Sequence, residues 1–227
     1  ADMLNINRDD LEIDFLGLNH MVFGLSSRIK GIDATKEVMD KYINNEITMN
    51  NIDSTPWNKE FLEGINLLLC PYHRYLFQYD EMINKQNKDY KAKNIRALEV
   101  MGYEKTLFEK YKDINLSEKP KELEQRGGAY YSDVACDVLA SIYSNEGKIH
   151  VVNIQNNGHV KNVGYDDTIE ISCIIDSRGA TPVEHINEIP RSVKGLYEMF
   201  KSYELVAAEA AFEKDLKKDD TGLEDLD

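Results

Sequence analysis

The sequence predicts an α+β fold, a mixed or antiparallel sheet with several long helices, on three observations. Short runs rich in β-branched and aliphatic residues occur early in the chain and again after residue 147. Apolar residues elsewhere recur at steps of three and four, the spacing of one helix face. The later strand-like runs are separated by Asn-Asn-Gly and Ser-Arg-Gly, turn tripeptides that suit antiparallel neighbours.

Leu11 to Leu16 alternates apolar and acidic residues, and Met21 to Phe23 follows a Gly-Leu-Asn-His break, so two extended segments with a loop between them are expected. Ala34 to Asn45 and Trp57 to Leu69 have helical spacing. In the second, Phe61, Ile65, Leu68 and Leu69 share a face, and Thr55-Pro56 offers a cap and a first-turn proline. Lys88 to Lys112 reads as one long, partly exposed helix, with Ile95, Leu98, Met101, Leu107 and Phe108 drifting round one face. Ala129 to Tyr143 repeats the pattern with Val134, Val138 and Ile142, and Gly127-Gly128 should mark a tight entry. Lys148 to Ile154, Thr168 to Ile175 and Pro182 to Ile186 read as strands. Pro190 opens a last long helix through Val193, Leu196, Phe200, Tyr203 and Ala207, and after Phe212 the chain becomes polar and should fray.

With 227 residues and 42% hydrophobic content, the chain can build one substantial core, or one core and a lobe of something larger. Twenty-seven basic residues face 41 acidic ones, a formal charge of −14 spread along the chain. Such a surface repels phosphate backbones and anionic membranes, and no basic run exceeds Lys217-Lys218, so nucleic acid is discounted as a partner. A small anion can still be held by one or two arginines. Cys70, Cys136 and Cys173 are odd in number and set among apolar residues, as expected of buried thiols in a reducing cytoplasm. No apolar stretch has the length of a membrane span, and no membrane partner is expected. Ala1-Asp2-Met3 reads as a chain begun partway through a longer one.

Gly17 and Gly24 are too far apart for a dinucleotide loop, and Gly127-Gly128 lacks a third glycine at that spacing. Zinc-hydrolase and serine-hydrolase motifs are also missing. Three places stand out by residue type. Asn19-His20, between two apolar segments, could present an imidazole to a cleft, or be a hydrogen-bonded histidine with no ligand. Arg126-Gly-Gly-Ala-Tyr-Tyr-Ser132 puts Tyr130 and Tyr131 at a helix N-terminus, where the dipole favours anions, or where one packs and the other is solvated. Val152 to Gly158 ends a strand in clustered amides, ordinary turn chemistry or the rim of a sugar site.

In colinear order, Gly17-Leu-Asn-His20, Cys70-Pro-Tyr-His-Arg-Tyr75, Lys119-Pro-Lys-Glu-Leu123, Arg126-Gly-Gly-Ala-Tyr-Tyr-Ser-Asp133, Val152-Asn153 with Asn156-Asn-Gly158, and Tyr203 to Ala210 resemble the C-terminal part of glycoside hydrolase family 4. The second and third strings are similar to its 6-phospho-β-glucosidase branch. The resemblance spans nearly all of residues 1–227 and implies a substrate- and metal-binding, oligomerising domain. Its fold would be that of the C-terminal domain of family 4 glycosidases and of lactate and malate dehydrogenases. An N-terminal NAD-binding domain would lie outside this chain, and the chain alone would be inactive.

The activity implied is redox elimination rather than the two-carboxylate scheme. Bound NAD oxidises the sugar at C3, a base removes the C2 proton, the aglycone leaves, water adds and the hydride returns. The resemblance marks His20 as ligand of a divalent metal, usually Mn2+. The partner cysteine would belong to a Cys-Asn-x-Pro motif upstream, matched by none of Cys70, Cys136 or Cys173. Tyr131 is marked as the C2 base, with Tyr130 its rival by one position, and Asn19, Arg126 and Asn153 as substrate-binding residues. The partners implied are a phosphorylated disaccharide, the NAD domain and further copies in a homo-oligomer. Gln155 departs from the pattern, since many members have arginine there. Two other readings stay open: 6-phospho-α-glucosidase specificity, and a non-catalytic sugar-phosphate-binding or oligomerisation module.

Overall fold

The computed structural model describes residues 1, 4–44, 55–127 and 131–213. Its sheet contains β1 (Leu11–Leu18), β2 (Met21–Ile29), β3 (Ile32–Asp33), β4 (Leu68–Leu69), β5 (Lys148–Gln155), β6 (Thr168–Asp176) and β7 (Gly179–Pro182). The order is β3-β2-β1-β6-β5, with β4 added to β2 and β7 to β6, and every pairing is antiparallel. Helices α1 (Thr35–Asn44), α2 (Lys59–Ile65), α3 (Arg74–Phe77), α4 (Tyr79–Lys91), α5 (Arg96–Lys110), α6 (Glu122–Arg126), α7 (Tyr131–Ser144) and α8 (Arg191–Glu213) complete the described chain. The expected α+β class with an antiparallel sheet is what forms.

The core follows from alternation on the central strands. Ile169, Ile171, Cys173 and Ile175 of β6 are buried on one face, beside Leu16 of β1 and Phe23 of β2. Val193 and Tyr197 of α8, Met39 and Tyr42 of α1 and Leu62 of α2 close over them. Each such aliphatic side chain contributes about 1.5–3 kcal/mol by leaving water. Helix α7 packs against β6 and is pinned there by Ser141, whose Oγ donates to Ile175 O at 2.6 Å and accepts from Lys148 N at 3.2 Å.

Four sequence expectations are corrected. The single helix expected over residues 88–112 is two, α4 and α5. Lys93 takes a left-handed φ of 58°, and Lys93 and Asn94 N–H groups close the end of α4 on Tyr90 O and Asp89 O. The helix expected from Trp57 to Leu69 stops at Ile65, because Asn66 at φ 51° caps it, and Leu68-Leu69 joins β2 as a strand. The strand expected over residues 182–186 is displaced: β7 covers Gly179–Pro182, and after Val183 N–H bonds Ser172 O the chain turns, with Ile186 N–H on Val183 O. Gly127, at φ 100°, caps α6 rather than opening α7. Asn45, Gly128, Tyr130 and the polar tail after Glu213 lie outside the described residues.

Two buried polar groups strain this core in opposite ways. Asp14, only 1% exposed, accepts from Arg28 Nη1 at 2.7 Å and Nη2 at 2.8 Å, from Ser26 Oγ, and lies 2.8 Å from His185 Nε2. Burial pushes its carboxyl up, but the hydrogen bonds from Arg28, Ser26 and His185 outweigh that and hold it down at about 2. His73, only 3% exposed, stacks on Phe23 with ring centroids 4.6 Å apart and meets Phe77 edge-on at 6.0 Å. Among the described residues neither of its ring nitrogens has a partner, and burial lowers its pKa to about 4.

These groups act in separate pH windows. Neutral His73 favours the fold above the ordinary histidine value of 6.5, and that stability falls away as pH drops from 6.5 toward about 4. Ionised Asp14 contributes above 3.8, and its share is lost as pH drops toward about 2. Denaturant titrations from pH 7 to pH 2 should therefore show two declines in the wild type, and His73→Leu should remove the upper one. Arg28→Ala should cost about 3 kcal/mol at pH 7, because it strands a buried carboxylate. The same urea melts read that loss directly.

Candidate active site

Strands β1 and β2 pair in register from Leu11↔Ile29 to Leu18↔Met21, leaving only Asn19 and His20 to connect them. Gly17 makes so tight a return possible. A Cβ there would stand 2.2 Å from Met21 O and 2.7 Å from Val22 Cα. Leu18 and Met21 anchor the hairpin in the core, while Asn19 and His20 are exposed at its tip. His20 has φ 64°, a left-handed conformation that costs a non-glycine residue about 1 kcal/mol or more. The string Gly-Leu-Asn-His is thus a device for pushing one imidazole out of the sheet.

The string Cys70-Pro-Tyr-His-Arg-Tyr75 arrives beside it by strand pairing. Leu69 and Leu68 of β4 sit opposite Phe23 and Gly24 of β2, and Pro71–His73 then forms a 3-10 turn. That turn sets the Tyr72 ring edge-on to His20 with centroids 5.0 Å apart, and Tyr72 remains 43% exposed. On the other side, β6 places Glu170 opposite Gly17, and β5 places Asn153 opposite Glu170. The Glu170 carboxyl is half-buried. Burial raises its pKa, and the charge and backbone N–H of His20 pull it partly back. Burial also raises the Cys70 thiol, with a smaller push from Glu170.

Among the sequence-marked residues, Asn19, His20 and Asn153 are therefore carried by neighbouring parts of the sheet. Arg126 and Tyr131 lie on the helical side. Arg126 is engaged by Glu104, with Nη2 to Oε1 at 2.9 Å. Tyr131 is the first residue of α7 and 81% exposed, and among the described residues no hydrogen bond or ring contact links it to His20.

The amide cluster separates by role. Asn156, 1% exposed, donates to the carbonyls of Val160, Val163 and Gly164 and accepts from Val160 N at 2.7 Å, which makes it a loop anchor. Gln155 donates to Asp166 Oδ1 at 2.9 Å, and Asn153 stays exposed. Two residues of the site carry no mark in the sequence reading, Tyr72 and Glu170. The signal for Glu170 is an acid in the middle of the aliphatic run Thr168 to Ile175, and the signal for Tyr72 is its place after Cys70-Pro71.

His20 offers one exposed imidazole to a metal. Among the described residues no group of three His, Cys, Asp or Glu side chains forms a cage. The chain therefore fits a metal as donor of a single ligand to a set completed elsewhere. Among the described residues no helix is long and apolar enough to cross a membrane.

Residues 15–218 match the family described as "Family 4 glycosyl hydrolase C-terminal domain". The chain is 41% identical over 213 residues to the probable 6-phospho-beta-glucosidase of Bacillus subtilis, covering 93% of this chain and 48% of that protein. It is 40% identical over 206 residues to the 6-phospho-beta-glucosidase of Escherichia coli, covering 89% and 46%. Its fold superposes with TM-score 0.84 and 29% identity on the 6-phospho-beta glucosidase from Thermotoga maritima solved with manganese, NAD+ and glucose-6-phosphate, covering 99% of this chain and 51% of that one. The chain thus spans about half the length of the curated relatives it matches. With its hairpin, its antiparallel sheet and a family match over residues 15–218, the chain belongs to family 4 of the glycosyl hydrolases, as a C-terminal domain.

Proposed function

We propose that this chain is the substrate- and metal-binding part of a 6-phospho-β-glucosidase working by NAD-dependent redox elimination, with NAD held by a domain outside it. The observation that carries the proposal is the exposed, strained His20 imidazole with a tyrosine ring 5.0 Å away, in a chain of this family. The β preference draws on identity, 41% and 40% to relatives named for β substrates against 30% to a phospho-alpha-glucosidase of Clostridium acetobutylicum.

When bound, NAD would accept and return the hydride at sugar C3 while manganese draws electrons from the neighbouring oxygens, which makes the C2 proton acidic. His20 would hold the metal, and Asn19 and Asn153 would hydrogen-bond sugar hydroxyls at the rim. Arg126 would meet the substrate phosphate once released by Glu104. A phenol, with its ordinary pKa near 10, can take the C2 proton only where a cation lies close. The resemblance marks Tyr131, exposed at the first turn of α7, for that step, while the Tyr72 ring lies edge-on to the proposed metal ligand. Once the proton has left C2 the aglycone departs, and water adds to the same carbon framework before the hydride returns.

A second reading, a non-catalytic sugar-phosphate-binding module, draws on Gln155, which is bound to Asp166 rather than free for an anion. The full-length product of the gene, assayed on p-nitrophenyl β-glucoside 6-phosphate and its α counterpart, separates these readings. Turnover should require both NAD and Mn2+ and should vanish in His20→Ala. Tyr131→Phe should cost about 10²–10⁴-fold in kcat, while Tyr72→Phe should cost much less. The reverse order would make Tyr72 the base, and no turnover on either substrate by a folded, NAD-binding protein would leave the binding module.

A further inference from the structure

Glu170 stands inside β6 between Ile169 and Ile171, both fully buried. Paired residues of antiparallel strands project to the same face, so its side chain shares a face with Asn153 on one side and with Gly17 on the other. Gly17, opposite Glu170 on β1, has no side chain, and the hairpin tip lies three residues on. The Glu170 carboxyl stands near enough to His20 for the charge and backbone N–H of His20 to lower its pKa, and its Oε2 is buried with no hydrogen-bond partner among the described residues. A buried carboxylate oxygen without a partner is costly, and a strand of pure aliphatic alternation would avoid it. His20 in turn holds a left-handed φ of 64°, which its neighbours must over-determine if it is to persist.

We propose that Glu170 is a positioning residue for His20: its carboxylate receives the His20 N–H, fixes the left-handed hairpin tip and so aims the imidazole. What the aimed ring then does rests on the metal-ligand reading above. Glu170 acts through the backbone of a ligand rather than by touching it at the metal, the kind of outer support whose loss weakens a site without removing a ligand.

The test uses the full-length protein and two readouts. Hydrogen exchange followed by mass spectrometry reports the amide of the hairpin tip without any metal, and electron paramagnetic resonance of added Mn2+ reports affinity. Glu170→Ala should speed exchange at the tip, leave the β6 peptides protected, and weaken Mn2+ binding by about 10–100-fold. Glu170→Gln, which keeps a carbonyl acceptor at the same reach, should preserve both. If Glu170→Ala does not fold, Glu170→Asp carries the same question, because it keeps the charge and loses the reach.

Unchanged tip exchange in the shortened variant overturns the proposal. So does a Glu170→Gln protein that loses Mn2+ as fully as the alanine variant while its tip stays protected, since charge and not the hydrogen bond would then matter. His20→Ala serves as the separate control. If it binds Mn2+ like wild type, the metal reading falls, and the exchange result still decides the role of Glu170.

Discussion

At Gly17 the two central strands approach so closely that a Cβ would stand 2.2 Å from Met21 O, and much of the molecule is arranged by that approach. It lets β1 and β2 close in two residues, with Leu18 and Met21 inside and Asn19-His20 outside. The same strands are the template for the other segments. Leu69 pairs with Phe23 and brings Tyr72, and Glu170 pairs with Gly17 and brings Asn153 behind it. Two stretches distant in the chain hydrogen-bond to one hairpin and a third, β5, joins through β6, and the hydrophobic face of that hairpin holds the register by burial.

Two carboxylates on this frame show how the surroundings decide what an acid can do. Asp14 lies on β1, three residues before Gly17, and is met by Arg28, Ser26 and His185, so it stays ionised and ties the strands to the loop after β7. Glu170 lies on the neighbouring strand with no cationic side chain hydrogen-bonded to it among the described residues, and burial raises its pKa. One is a closed ion network and the other an open acceptor beside an exposed imidazole. Desolvation acts on both, and the difference is whether charge-assisted hydrogen bonds answer it.

Legibility in the sequence tracked one-sided burial. Strand β6 and helix α8 declare themselves because Ile169, Ile171, Cys173 and Ile175 alternate and because Val193 and Tyr197 face the same core. The breaks at Asn66 and Lys93 were hidden, since neither is a glycine or proline and their left-handed φ is set by local capping. His20 was legible through the string around it. Tyr72 was quoted only as part of a string, and Glu170 looked like one acid among 41.

What the sequence by itself determined was the class of fold, the main strands and helices, and the family, because these depend on periodicity and on short strings of residues that are local in the chain. What only the tertiary structure decided was which side chains stand together: Tyr72 against His20, and Glu170 and Asn153 in line with Gly17. The physical reason is that these neighbours are chosen by strand register between distant segments, and register is set by the packing of a shared core rather than by any residue's own preference.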